Sequence, residues 1–469
     1  MLLRWVGLLL LLAGDSLFAQ ASRPLLIRHV TVIDTGGGPA QTDRAVLIVG
    51  QRIAAIGASA SVPAPEGAQV IDASGKYLIP GLWDMHVHMR GPLRESTADF
   101  ARENEALLPL YLANGITGVR EMGGDMAGAV MRWRSEVEHG ERLGPRIATC
   151  GPKLDGPKPE WPGSIPISTP EEARAAVRGV KGMGADFVKV YNEVPNIPRD
   201  AYLALLDEAK RQNIRVTGHV PLTLTVEEVS SGGQSIEHYN EYLPGCVRNE
   251  KELKAKLEKG RIGGDVYDLA VLNGYSRPAA QALFKLFATN GTWVTPTLTI
   301  AHIDAFPRDR AEETNTLRRY LSPPWLASWT DRGDEPDPSW SARYAKKQYR
   351  HSLETVRLMH KAGVSILAGS DTAVSNAFTF PGFSLQDELG YLVEAGLTPL
   401  EALQCATINA ANWLGQLDSL GSVEIGKFAD LVLLDANPLA DIKNVQNIRA
   451  VVMNGRLLDR ARLDEIRAN

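Results

Sequence analysis

The chain has 469 residues, of which 44% are hydrophobic and 22% are charged, and its formal net charge at pH 7 is -5. This length exceeds what one small core needs and accommodates a large α/β barrel with an accessory domain. The composition is that of an ordinary soluble globular protein. Because no basic stripe or run of Lys and Arg occurs, we expect no nucleic-acid partner.

The first residues have the pattern of a secretory signal peptide. Arg4 precedes the apolar run WVGLLLLLAG, and small residues follow in SLFAQAS. Because this run is too short to span a bilayer comfortably, we predict a signal peptide over residues 1–21, cleaved after Ala19 or Ala21. The mature protein is then exported, periplasmic or extracellular, with no stable membrane insertion. An uncleaved membrane anchor is the alternative.

The cysteines indicate how the exported protein is stabilised. Cys150, Cys246 and Cys405 are few, odd in number and widely separated, and none has a C-x-x-C spacing typical of metal sites. At most one disulfide can form, so we expect stability to come from apolar burial.

Strand patterns occur at both ends of the chain. The segments LLIRHVTVID, RAVLIVG and RIAAIGA lie near the start, and ADLVLLDAN and IRAVVMNGRLL lie near the end. Alternating, β-branched residues bounded by turn residues are typical of antiparallel strands. We predict that residues 22–80 and 421–469 form one small β-sandwich domain.

Between these ends, over residues 81–420, strand-like and helix-like segments alternate. The eight strand-like segments are WDMHVH, GITGVREM, RIATCGP, DFVKVYN, RVTGHV, QSIEHYN, TWVTPTLT and SILAGSDT. A helix is predicted in TPEEARAAVRGVKGMG, where Thr169 is the cap, Pro170 the first helical residue and Gly184 follows the end. Eight such units predict an α/β fold with a (β/α)8 TIM barrel. A doubly wound open sheet is the structural alternative.

Residues 245–350 form an overlong segment with a Lys/Glu-rich part and a Trp-rich part. Long excursions after barrel strands commonly cover an active-site mouth. We interpret the segment as an insertion that is either such a cover or a decoration that contacts another subunit, which leaves a homo-oligomer open.

His86 and His88 are two residues apart on the first predicted barrel strand, so their side chains project from the same face. Active sites in barrels form where strands end, and two imidazoles converging there suit a divalent metal such as zinc. A pair of histidines that bond to each other is the alternative. His219, His238 and Asp371 each end another predicted strand at the same depth.

Lys189 lies in the fourth predicted strand between Val188 and Val190, where an unpaired ammonium is costly. One explanation is reaction of the amine with carbon dioxide, which gives a carboxylate able to bridge two metals. A salt bridge to Asp371 is the other.

The order H-x-H, Lys, His, His, Asp on strands one, four, five, six and eight resembles the amidohydrolase superfamily, in its imidazolonepropionase-like and prolidase-like (Xaa-Pro dipeptidase) branch. The likeness covers nearly the whole chain after the signal peptide. It is carried by YLIPGLWDMHVH, GITGVREMGG, GADFVKVY, VTGHV, SIEHY, AGSDT, LTPLEALQCATINAANWLG and GSVEIGKFADLVLLDANPL.

The resemblance implies a hydrolase with a binuclear zinc site, in which carboxylated Lys189 bridges two ions. One ion is held by His86, His88 and Asp371, and the other by His219 and His238. A metal-bound hydroxide attacks the carbon of an amide or cyclic amide, and Asp371 is general base and then general acid.

Alternatives concern the substrate, the number of ions and turnover. The substrate is a small molecule, such as an Xaa-Pro dipeptide or an N-acyl amino acid, or else a lactone or phosphotriester cleaved by the same site. The site holds one ion or two. A barrel that binds a ligand without turnover is the third alternative, against which the presence of both Lys189 and Asp371 argues.

Two residues near this set are candidates for substrate binding. Tyr191 faces the same way as Lys189 and could donate to an oxyanion, and Arg120 could bind a substrate carboxylate or instead pair with a neighbouring strand. Tyr239 points away and packs, and Gly123 and Gly124 form a turn close to the site. Gln386 stands where relatives often carry histidine, so specificity could differ there.

Overall fold

The computed structural model describes residues 23–90, 100–159, 161–191, 196–330, 341–373 and 376–468, and every structural statement below refers to these ranges. The predicted signal peptide lies outside them. No helix in these ranges combines the length and the hydropathy needed to cross a membrane.

Strands and helices are numbered in chain order. The strands are β1 Leu25–Val32, β2 Gln41–Val49, β3 Arg52–Ala58, β4 Gln69–Asp72, β5 Tyr77–Pro80, β6 Leu82–His88, β7 Ile116–Glu121, β8 Arg146–Thr149, β9 Leu154–Asp155, β10 Ile165–Pro166, β11 Phe187–Val190, β12 Arg215–Gly218, β13 Ser235–Glu237, β14 Trp293–Thr295, β15 Ser365–Ile366, β16 Thr372–Ala373, β17 Leu431–Leu434, β18 Ile448–Met453 and β19 Arg456–Asp459.

The α-helices are α1 Ala101–Ala113, α2 Ala127–Glu138, α3 Pro170–Gly182, α4 Arg199–Arg211, α5 Val226–Ser231, α6 Tyr239–Tyr242, α7 Glu250–Glu258, α8 Gly264–Gly274, α9 Arg277–Asn290, α10 Leu298–Ala305, α11 Pro307–Glu313, α12 Pro323–Thr330, α13 Ser341–Ala362, α14 Ser384–Glu394, α15 Pro399–Cys405, α16 Ile408–Trp413 and α17 Arg460–Ala468. Short 3-10 helices occupy Leu243–Cys246, Asn315–Tyr320 and Ile442–Gln446.

One mixed sheet takes strands from both ends of the chain. Its order is β19-β18-β17-β5-β1-β2-β3, with β4 paired to β1. Antiparallel pairing of β17 with β5, which places Leu433 opposite Leu78, joins the two ends. Leu78, Leu431 and Val452 belong to its apolar core. We call this the terminal sheet.

The middle of the chain forms two parallel sheets, as predicted for an α/β fold. Their orders are β16-β6-β7-β8 and β10-β9-β11-β12-β13-β14-β15. Backbone hydrogen bonds connect them at both seams, from the amide of Asp186 to the carbonyl of Thr149 and from the amide of Met85 to the carbonyl of Ala368, each 2.9 Å. All eight predicted segments therefore contain strands, in the predicted order, although the eighth is split into β15 and β16.

The helix predicted after Thr169 is confirmed as α3. Thr169 accepts a hydrogen bond from the amide of Glu172, the side chain of Glu172 accepts from the amide of Thr169, and Pro170 is the first helical residue. Gly184 follows with φ 83°, a conformation that glycine adopts without strain.

The prediction of a single insertion over residues 245–350 requires correction, because β14 lies inside it. The segment is divided into two helical excursions. One, from α7 to α9, precedes β14, and the other, from α10 into α13, follows it. Residues 331–340 of the second excursion lie outside the described ranges. The strand β14 coincides with the predicted seventh strand segment, TWVTPTLT.

Candidate metal centre

The six predicted ligands lie in or next to five different strands, at the same end of the parallel sheets. His86 and His88 are among the last three residues of β6, and Lys189 is the next-to-last residue of β11. His219 and His238 directly follow β12 and β13, and Asp371 directly precedes β16. In parallel strands these carboxyl ends are neighbours, which is why residues far apart in sequence meet here.

Three of these side chains converge closely enough to share one ion. The donor atoms of His86, His238 and Asp371 all lie within 4.8 Å of one another. His88 adds a fourth donor, because its Nε2 is 3.1 Å from Nε2 of His86 and 2.9 Å from Oδ1 of Asp371.

His219 and Lys189 complete the group. The ring of His219 lies edge-on to that of His238, with 4.9 Å between centroids. Lys189 is fully buried, its Nζ has no hydrogen-bond partner, and no ion pair joins it to Asp371 within the described chain. The salt-bridge alternative for Lys189 is therefore not what the structure contains.

Burial sets the charge of these groups. It lowers the pKa of His86, His88 and His238 well below the usual value, so these imidazoles are neutral and their lone pairs are available. Burial also lowers the pKa of Lys189 to about 8. Neutral imidazoles, a carboxylate and an amine without a partner form a donor set that fits a divalent cation such as zinc.

Arg120 does not have the role that the sequence suggested. Its side chain is fully buried, and Nη2 donates to both carboxylate oxygens of Glu237, at 2.7 and 2.8 Å. Nε donates to the carbonyl of Met85 at 2.5 Å. The prediction that Arg120 binds a substrate carboxylate is therefore wrong, and the alternative of pairing with a neighbouring strand is correct.

Tyr191 lies against the cluster. Its ring stacks on His219 with 4.5 Å between centroids. Burial raises the pKa of Tyr191 to about 12, so the phenol stays protonated and can donate a hydrogen bond. The structure thus leaves its predicted role as a donor open to experiment.

Sequence reasoning missed Arg90, whose guanidinium donates a hydrogen bond to the side chain of Tyr191. The guanidinium of Arg90 lies 4.2 Å from the ring centre of Trp161, and only 6% of Arg90 is exposed. The signal was available, because Arg90 continues the two-residue alternation of His86 and His88.

Glu237 was also missed. Its Oε2 lies 2.8 Å from Nδ1 of His86, and Thr217 donates to its other oxygen. The available signal was an acidic residue at the end of a predicted strand, directly before His238.

Asp84 is a third missed residue. Its carboxylate accepts hydrogen bonds from the amide and hydroxyl of Ser370, at 2.9 and 2.6 Å, and so fixes the residue next to Asp371. Burial raises the pKa of Asp84 to about 7.

The backbone at the site is strained. His238 and Asp371 have φ values of 64° and 53°, and Thr297, whose hydroxyl is 3.1 Å from Nδ1 of His238, has φ 49°. Residues other than glycine rarely adopt such values, and they cluster at functional sites where the surrounding structure enforces them.

The remaining predictions concern neighbours of the site. A Cβ on Gly124 would meet the carbonyl of Gly151 at 2.6 Å, so the close turn is confirmed. Tyr239 packs as expected, with its hydroxyl donating to Asp304 at 3.1 Å. The side chain of Gln386 donates a hydrogen bond to the carbonyl of Asn114 at 3.0 Å. Gln386 therefore connects α14 to the residue that follows α1.

The chain is similar to known proteins over most of its length. The chain is 25% identical to ochratoxinase of Aspergillus niger over an alignment of 492 positions, gaps included. The alignment covers 92% of this chain and 87% of that protein. Over 101 residues it is 32% identical to imidazolonepropionase of Fusobacterium nucleatum, covering 20% of this chain and 24% of that protein.

Among solved structures, a putative prolidase from Bifidobacterium longum has the same fold, with a TM-score of 0.67 and 23% identity over 96% of this chain and 99% of that one. The expected likeness to imidazolonepropionase and prolidase relatives is thereby confirmed. A model of the amidohydrolase family matches residues 77–458. The chain belongs to the amidohydrolase family, whose members hydrolyse carbon-nitrogen bonds.

Proposed function

We propose that the protein is a metal-dependent hydrolase that cleaves the carbon-nitrogen bond of an amide or cyclic amide. The observation that carries the proposal is the convergence of the donor atoms of His86, His238 and Asp371 within 4.8 Å, in a chain of the amidohydrolase family. The buried, neutral state of the imidazoles supports it, since charged histidines do not bind cations.

We assign the ligands to two ions as the family resemblance implies, although the donor atoms of His86, His238 and Asp371 are also close enough to share one ion. His86, His88 and Asp371 would hold one zinc ion, and His219 and His238 a second, with Lys189 between them. Bound there, a divalent ion would supply Lewis acidity that polarises a carbonyl and acidifies a water molecule.

The side chains of the chain itself perform the proton transfer. Asp371 accepts the proton of the attacking water as the new carbon-oxygen bond forms, and it donates this proton to the nitrogen as the carbon-nitrogen bond breaks. Tyr191, which stays protonated, donates a hydrogen bond to the oxyanion.

We propose that Lys189 carries a carboxyl group. The neutral amine attacks carbon dioxide, a nitrogen-carbon bond forms, and a proton is released to water. The lowered pKa of Lys189 supports this, because the neutral amine is the reactive form. With ¹³C-labelled bicarbonate, we expect a carbamate resonance in the wild type that is missing from Lys189→Met; its persistence in the variant would assign it to another amine.

The proposal also covers the architecture of the protein and its location in the cell. We infer that the two parallel sheets constitute a single (β/α)8 barrel over residues 81–420 and that the terminal sheet folds as a β-sandwich. We further infer export to the periplasm or the cell exterior after cleavage of residues 1–21, a small-molecule substrate and no stable membrane insertion.

The test is a substrate panel with enzyme stripped of metal and then reloaded with zinc. The panel contains Xaa-Pro dipeptides, N-acyl amino acids and cyclic amides, together with lactones and phosphotriesters. We expect hydrolysis of at least one amide class, lost on stripping and restored by zinc. Full activity of the stripped enzyme would contradict metal dependence, and turnover of lactones or phosphotriesters alone would contradict amide cleavage.

A further inference from the structure

The five-residue segment from Glu237 to Glu241 contacts more of the candidate metal centre than its one ligand explains. His238 is the predicted ligand, and an acidic residue lies on either side of it, one directly before and one three residues after. Each of these carboxylates lies against a different histidine of the centre.

Glu237 reaches the histidine on the first barrel strand. Its Oε2 is 2.8 Å from Nδ1 of His86, and both side chains are fully buried. Glu237 is itself fixed by the guanidinium of Arg120 and by the hydroxyl of Thr217. Arg120 in turn lies 4.3 Å from the ring centre of Trp413, so this carboxylate is held on a rigid support.

Glu241 reaches the histidine on the neighbouring strand. It lies at the first turn of α6, and its Oε1 is 3.3 Å from Nδ1 of His219. Its other oxygen accepts a hydrogen bond from the amide of Val220 at 2.8 Å, which fixes the carboxylate beside the strand end. The positive φ of His238 lies where β13 turns into α6, between the two acidic residues.

From this arrangement we propose that Glu237 and Glu241 are positioning residues that fix the proton of His86 and of His219 on Nδ1. A carboxylate can only accept a hydrogen bond, so each ring must donate from Nδ1. The lone pair is then on Nε2, which in His86 lies 3.1 Å from Nε2 of His88. One segment thus supplies a ligand and orients two others. The inference rests on the proposed metal site.

The experiment measures zinc affinity of the full chain by competition with a chelating dye. We expect Glu237→Gln and Glu241→Gln each to weaken zinc binding about 10- to 100-fold, the usual effect of losing such a partner. Asp430→Asn is the matched control, since Asp430 is another buried, arginine-paired carboxylate, 2.5 Å from Nε of Arg146, that contacts no histidine. Its zinc affinity should equal that of the wild type.

Glu237→Gln leaves the buried charge of Arg120 without its partner, so the double variant Glu237→Gln/Arg120→Met removes that charge and should still bind zinc weakly.

A second readout is independent of folding stability. Long-range ¹H–¹⁵N spectra of the metal-free protein should show Nδ1-H rings for His86 and His219 in the wild type and mixed tautomers in the matching glutamine variants.

The outcomes separate this inference from the proposed function. Wild-type protein that binds no zinc would refute the metal site itself. Zinc binding by the wild type that the glutamine variants match, or a loss no larger than that of Asp430→Asn, would overturn only the positioning role. Unchanged tautomers in the variants would overturn it as well.

Discussion

The terminal sheet and the candidate metal centre bury their side chains in opposite ways. In the terminal sheet, fully or nearly fully buried residues such as Leu78, Leu431 and Val452 are apolar, and long antiparallel registers satisfy the backbone. At the carboxyl ends of the parallel strands, equally buried residues such as His86 and Lys189 are polar, and part of the backbone is strained.

This difference indicates how the molecule divides stability and chemistry. Apolar burial contributes about 25 cal/mol per Å², whereas desolvated polar groups and positive φ values cost free energy. The sheets and their apolar cores offset the free-energy cost of this polar centre. Four experiments test this difference between the two regions.

The largest effect is expected at the centre, from His86→Ala combined with His88→Ala. Removal of two adjacent donors should lower kcat/KM by more than about 10³-fold and reduce bound metal, because the remaining ligands cannot complete the coordination. Metal analysis and kinetics on the screened substrate measure both. His139→Ala, at an exposed helix end, is the control. An unchanged metal content in the double variant would exclude these residues as ligands.

In the terminal sheet, Leu78→Ala should lower the free energy of unfolding by about 2–5 kcal/mol, through lost burial and a residual cavity. Urea unfolding measures it, and Val49→Ala, at a half-exposed position, should shift stability by less than about 0.5 kcal/mol. Activity of the folded Leu78→Ala protein should be unchanged. A fall in kcat under folding conditions would show that the two regions are coupled.

Tyr191→Phe tests whether a side chain at the border of the centre acts in chemistry or only in packing. Loss of an oxyanion donor should reduce kcat about 10²-fold with little change in KM. Tyr242→Phe, which removes a buried hydroxyl bonded to Thr355, should leave kcat unchanged. Equal kinetics for the two variants would assign Tyr191 to packing against His219.

The smallest effect, taken per pH unit, concerns a buried carboxylate in the scaffold. Glu388 is buried and accepts hydrogen bonds from the amides of Leu298 and Thr299. Burial raises the pKa of Glu388 to about 8. The folded state therefore holds this proton more tightly than the unfolded state does. Its contribution to stability is present below pH 4.5 and is lost as pH rises towards 8, by at most about 1.4 kcal/mol per pH unit.

Glu388→Gln should therefore flatten the pH dependence of the free energy of unfolding between pH 4.5 and 8. Urea unfolding of the metal-free protein at several pH values measures the slope. Parallel slopes for variant and wild type would show that Glu388 is ionised in the folded protein throughout this range.

The contrast also explains what the sequence could predict. Strand and helix positions follow from local patterns, so strands were found in all eight segments predicted for the middle of the chain and in the five predicted near its ends, and the capped helix α3 was found as well. The split of the last strand escaped, because a strand of two residues, such as β15 or β16, carries too little periodicity.

For the site, the six candidate ligands could be named because each stands at a strand end and their order resembles a family. Their partners could not. Whether Arg120 faces solvent or Glu237 depends on which side chain lies across the interior, 117 positions away in the chain.

Local patterns therefore predict the alternation of strands and helices, the family and the residue types available for metal binding, because periodicity and strand-end position are local properties. The fold establishes that Arg120 is an internal support, that Arg90 lies beside Tyr191, and that Glu237 and Glu241 contact two separate histidines. These pairings depend on distances across the parallel sheets, and no local pattern encodes a distance between strands.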